Sequence, residues 1–190
     1  MIPTDLLNQS LDTAHTYADY LAAGTEAHQT AWNDFHAQVQ LTEQQHTLIA
    51  SFTRDLTLLV SSGTWCGDCV QQVPMLDHIA RANPDRITLR CVDRDEHADL
   101  AKHLSICGGL RVPIVLILNE DRDLLAFAGD RTLARYRALA AKQLGPSCPL
   151  PGAPVPPDEI AATLQDWVDE VERAHLIARL STKLRKRHSD

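Results

Sequence analysis

No apolar run in this chain approaches the roughly 20 residues that a membrane-spanning helix requires, which excludes such a helix. The N-terminus, Met1-Ile2-Pro3-Thr4-Asp5, lacks both a basic cluster and a long apolar stretch, so no secretory signal is expected and the chain reads as cytoplasmic. Cysteine is scarce. Cys66, Cys69, Cys91, Cys107 and Cys148 are odd in number and too few for a disulfide scaffold, in keeping with a reducing compartment. Basic charge is missing ahead of Arg54, and the net charge of −7 argues against a nucleic-acid surface. What is present, 190 residues with 44% hydrophobic and 23% charged, suits one soluble domain of ordinary size with appended structure.

Leu7, Leu11, Ala14, Tyr17, Ala18 and Leu21 recur at helical spacing, and Gly24 offers a stop. Trp32, Phe35 and Val39 form a second stripe, and Thr42-Glu43-Gln44-Gln45 resembles a capping box opening a third helix through Phe52. His15, His28, His36 and His46 fall in this region without a carboxylate or cysteine at ligand spacing, and read as surface or packing residues. Further on, 56–60 and 87–93 have strand character, with a short helix expected over 95–106. Ile114 to Leu118 is a continuous apolar run suited to a strand buried on both faces, and Asn119 to Asp123 is turn chemistry joining it to 124–128 as a hairpin. A helix is expected over 131–144. Residues 145–157 hold six prolines and two glycines, which dictates a loop or extended connector. A last helix follows from Asp158, carrying Ile160, Leu164, Trp167, Val168, Val171, Leu176 and Leu180. Its basic end (Arg179, Lys183, Arg185, Lys186, Arg187) reads as a solvated face set favourably against the helix dipole.

The chemistry concentrates in Trp65-Cys66-Gly67-Asp68-Cys69, where the strand at 56–60 gives way to a helical pattern (Val70, Val73, Leu76, Ile79). Two thiols two residues apart at such a turn can close a small disulfide ring. The first lies at a helix N-terminus, where free amides and the dipole favour a thiolate, so the pair reads as dithiol–disulfide exchange. A zinc module is the competing use of this spacing, but no second CxxC and no suitable Cys/His pair completes four ligands. Cys91 reads as an inert strand thiol, Cys107 as structural or incidental, and Cys148 as an exposed free thiol.

Strand, CxxC helix, strand, helix, Pro-led strand, strand, helix: this order resembles the thioredoxin superfamily. Pro74 lies five residues after Cys69, Val112-Pro113 opens an apolar strand, and Gly129 follows Pro113 by sixteen residues, each matching a family position. The motif with Asp68 and the helical N-terminal extension look closer to bacterial thioredoxin-like proteins with WCGDC than to typical thioredoxins with WCGPC. The resemblance implies an α/β thioredoxin fold, a central mixed sheet of about four strands flanked by helices. The expected layout is an N-terminal helical extension (1–53), the thioredoxin-like domain (54–144), the connector (145–157) and a C-terminal helix (158–190).

The resemblance also implies roles. Cys66 is the nucleophile and Cys69 resolves the mixed disulfide, while Trp65, Gly67 and Asp68 form the surroundings. Val112 and Pro113, with Pro113 cis, pair with an extended substrate and keep metal away. Partners are a disulfide-containing protein or small molecule and an upstream reductase or low-molecular-weight thiol, with no bound cofactor or metal, no membrane and no nucleic acid. Departures stand beside these matches: Val60 occupies the position of the family's buried acid, leaving Asp68 or water to take the Cys69 proton, and Ile114 follows Pro113 where threonine is common. Asp68 either opposes the thiolates and favours a reductant, or simply caps or solvates the helix start. A disulfide isomerase or oxidase, and a non-catalytic adaptor presenting its extensions to a partner, are the alternatives.

Overall fold

The computed structural model describes residues 2–144 and 158–189; the proline-rich segment 145–157, with Cys148, lies outside the described residues. Apolar runs become the strands of one sheet: β1 (Leu56–Ser62), β2 (Ile87–Asp93), β3 (Ile114–Leu118) and β4 (Leu124–Gly129), in spatial order β2-β1-β3-β4. β1 runs parallel to β2 and antiparallel to β3, and β3 pairs antiparallel with β4. The parallel pair requires a crossover, which the intervening helix supplies.

Side-chain alternation along the central strands divides the core. Leu58, Val60, Val115 and Ile117 face one side, Leu59, Ile114, Leu116 and Leu118 the other. The CxxC helix, α5 (Gly67–Ala82), covers the first face with α2 (Tyr17–Ala22), α3 (Glu26–His36), α4 (Glu43–Ala50) and α8 (Glu159–Leu180). α1 (Thr4–Asp12) and α6 (Ala98–His103) cover the second, through Leu7, Leu100 and Leu104. α7 (Leu133–Leu144) follows β4 and packs on α8. Among the described residues, no helix is long and apolar enough to cross a membrane.

The helix expected over 95–106 is confined to Ala98–His103, and the apolar periodicity is broken at two further places. The stripe from Leu7 to Leu21 is split, because His15 leaves the helix and pairs its backbone with Cys91 on the outer edge of β2 (N–H to O 2.9 Å in both directions). Thr16 then caps α2, its hydroxyl accepting from the Asp19 amide at 3.2 Å. The crossing lets α1 serve one face of the sheet and α2 the other. At the C-terminus, Ser181 ends α8 and caps α9 (Thr182–His188). The basic end is not simply solvated: Lys183 pairs with Asp123 at 2.5 Å and Arg187 pairs with Asp121, so α9 lies on the acidic β3–β4 turn.

The capping box over Thr42 and Gln45 forms in both directions. Trp32 anchors the N-terminal helices: it is wholly buried against Tyr17 and Tyr20, and its indole N–H donates to the Thr64 carbonyl at 2.9 Å, beside the CxxC turn. Trp32→Ala should therefore cost about 3–5 kcal/mol of stability, read as a fall in the urea midpoint. A loss within experimental error would show that the N-terminal helices contribute little to the core.

Candidate active site

β1 ends at Ser62, and a short loop carries the chain into α5 with Cys66 as its N-cap residue in extended conformation (φ −87, ψ 122). No side chain caps this helix, so the sulfur of Cys66 stands where a capping oxygen would. The Cys66 thiol is brought down to about 6. Its largest cause is the hydrogen bond from the Cys69 thiol, joined by the backbone amides of Cys69 and Asp68, while partial burial and the Asp68 charge act in opposition. Cys69, one turn on, is fully buried. Burial pushes its thiol well up, and the bond to Cys66 and its charge push it further. Both thiols are free. One partly exposed, acidic thiol thus sits against one buried thiol that is held toward its protonated form.

Opposite them lies the start of β3. The Val112–Pro113 peptide bond is cis, and the Cys66 thiol donates to the Val112 carbonyl across 3.6 Å. Gly129 packs against this loop at φ +129, and a Cβ there would stand 2.4 Å from the Pro113 carbonyl oxygen. Only glycine fits this approach and this backbone. Pro74 is buried inside α5, where its missing N–H removes one helical hydrogen bond.

The residues around the sulfurs have distinct surroundings. Trp65 is 50% exposed; its indole lies over Gly63 and under the Arg94 guanidinium, 4.7 Å from the ring centre. Gly67 has an ordinary helical backbone, and a Cβ there would meet nothing within 4 Å. Its bare surface leaves the approach to Cys66 open, and the turn does not require its flexibility. Asp68 neither caps α5 nor faces solvent freely: Arg131 and Arg135 from the α7 side bind its carboxylate, at 3.0 Å (Nε) and 2.8 Å (Nη2). The local sequence around Arg131 and Arg135 carries no signal of this role, since only the fold brings them to residue 68.

Ser62 is a second residue that periodicity does not reveal. Fully buried at the end of β1, its hydroxyl makes no hydrogen bond of ordinary geometry among the described residues, but it is a polar group that favours the ionised forms of the Cys69 thiol and the Tyr20 phenol. Val60, at the position of the family's acid, is wholly buried and apolar. The polar group nearest in role is therefore two residues further along β1. Cys91 is buried in β2 and its thiol is pushed up by burial, whereas Cys107 is exposed at φ 51 in the Ile106–Gly109 turn. His36 binds Asp77 at 2.9 Å and packs on the His78 ring in a tilted arrangement, 4.1 Å between centroids, joining α3 to α5. Among the described residues, no group of three or more His, Cys, Asp or Glu side chains is placed to hold a metal.

A mixed four-stranded sheet with a close cysteine pair at the start of a helix defines a thioredoxin-fold protein. The family model described as Thioredoxin matches residues 14–139, and the chain belongs to that family. Of solved structures, a protein of unknown function from Pseudomonas aeruginosa is similar at 24% identity and a TM-score of 0.70, over 92% of this chain and 99% of its own. An HIV epitope-scaffold is similar at 22% identity and a TM-score of 0.62, over 92% of this chain and 98% of that one. At these identities the likeness is one of fold.

Because a hydrogen bond from Cys69 contributes most to lowering the Cys66 thiol, Cys69→Ala should raise its titration midpoint. Below that midpoint the thiolate fraction falls about tenfold per pH unit, so alkylation by iodoacetamide near pH 6 should slow several-fold. An unchanged pH profile would remove the hydrogen bond from the explanation.

Proposed function

We propose that the protein is a thiol–disulfide oxidoreductase that reduces protein or small-molecule disulfides through Cys66 and Cys69. The observation that carries this reading is the pairing of a lowered, partly exposed thiol with a buried, protonated one at the head of α5. The Cys66 thiolate attacks one sulfur of the substrate disulfide, forms a mixed disulfide and expels the other sulfur as a thiolate. Cys69 then loses its proton and attacks Cys66, closing the Cys66–Cys69 disulfide and releasing the second substrate thiolate. The substrate gains two electrons, its sulfurs take up two protons, and the protein is oxidised by the same two electrons. An upstream reductase or a low-molecular-weight thiol supplies electrons for the return step, and no bound cofactor is needed.

In this reading residues 54–144 form the catalytic domain, the segments 1–53 and 158–190 are its extensions, and the chain belongs to the bacterial WCGDC group acting in the cytoplasm. The Val112 carbonyl beside Cys66 supports backbone pairing with an extended substrate segment, in the manner of strand addition. Trp65, half exposed, shields one side of the sulfurs, and Gly67 leaves the other open.

Insulin-disulfide reduction with dithiothreitol tests the proposal. Cys66→Ser should abolish the catalysed rate, and Cys69→Ser should accumulate mixed disulfides in cell extract that dithiothreitol releases. Retained activity in Cys66→Ser, or stoichiometric zinc on the purified protein, would overturn it. The charge of Asp68 opposes the Cys66 thiolate, so Asp68→Asn should lower the Cys66 midpoint and make the disulfide more oxidising. A more reducing variant would refute that assignment.

A further inference from the structure

We propose that Arg131 and Arg135 are positioning residues of this site: they turn the Asp68 carboxylate toward α7 and offset its charge, sparing the attacking sulfur a free anion two residues away. This rests on the reading of Cys66 and Cys69 as the exchanging pair.

Asp68 is the second residue of α5. A carboxylate there is drawn to the free amides of the first turn, the same amides that stabilise the Cys66 thiolate. Left alone, it would compete for those donors and place its charge beside the sulfur. It accepts instead from Arg131 Nε and Nη2 and from Arg135 Nη2. Arg131 spans both carboxylate oxygens, a two-pronged geometry that lysine cannot reproduce. The cluster is shielded, with the side chains of Asp68 and Arg135 only 18% and 14% exposed, so screening weakens it less than a surface pair.

The arginines are themselves held. Arg131 Nη1 donates to Asp130 at 3.2 Å, and Arg135 Nη1 to Glu159 at 3.0 Å. Asp130 is buried and also accepts from Arg111 at 3.2 Å and from the Tyr136 hydroxyl. Alternating charges, Arg111, Asp130, Arg131, Asp68, Arg135 and Glu159, therefore run from the loop before Pro113, past the CxxC turn, to the first turn of α8. Buried Gln72 of α5 fastens this chain, donating to the Asp130 carbonyl at 2.9 Å and accepting from the Thr132 amide at 3.3 Å.

The test is a pH titration of Cys66 in the reduced full chain, by thiolate absorbance and iodoacetamide alkylation. Arg131→Ala and Arg135→Ala should each raise the midpoint and slow alkylation near pH 6 by roughly three- to tenfold. In an Asp68→Asn background the same substitutions should lose most of that effect. Arg131→Lys, which keeps the charge and loses the fork, should shift the midpoint less, and it carries the test if the alanine variant folds poorly. An unshifted midpoint overturns the proposal, as does an equal shift with and without the carboxylate, which would mean direct action on the sulfur. If instead wild-type Cys66 titrates as an ordinary thiol and the wild type fails to reduce insulin, the underlying exchange reading has failed and this inference falls with it.

Discussion

The Cys66 sulfur occupies the capping position of α5 while facing the Val112 carbonyl, and the rest of the molecule serves to keep those two pieces of backbone together. β1 delivers the first and β3 the second. Their antiparallel register sets Ser61 opposite Ile114, so the end of one strand lies beside the beginning of the other. On the far side of β3, Ile114 pairs with Gly129, and the absence of a side chain there lets β4 close against Pro113. Sheet order and register thus bring together residues separated by more than forty positions in the chain.

Within that frame, opposite environments divide two chemically identical thiols. Cys66 gains donors from the helix start and from Cys69, and its thiolate is favoured; Cys69 loses solvent and keeps its proton. Buried Ser62 favours the Cys69 thiolate without a formal charge, while Val60, at the position of the family's acid, is apolar. On the outer side Asp68 brings a negative charge into the motif, and Arg131 and Arg135 answer it.

The extensions are joined to the same centre. Trp32 grips the Thr64 carbonyl in the loop before Cys66, His15 pairs with β2, and α8 meets the site through Glu159 and Arg135. Burial of Trp32 and Trp167 makes these segments part of the core.

The local chain determined a good deal. Apolar runs of strand length became β1 to β4, the Thr42 and Gln45 pair became a capping box, and the spacing of Cys66 and Cys69 put two thiols one helical turn apart. These signals are short-range, carried by neighbours along the backbone. Tertiary structure alone decided that His15 would leave a helical stripe to pair with β2, that α9 would settle on the Asn119–Asp123 turn, and that Arg131 and Arg135 would hold Asp68. It also buried the Ser62 hydroxyl at the end of β1. The physical reason is distance along the chain: periodicity tells which face of an element is apolar, but not which charge or edge from sixty residues away meets it, and that is fixed when the layers close.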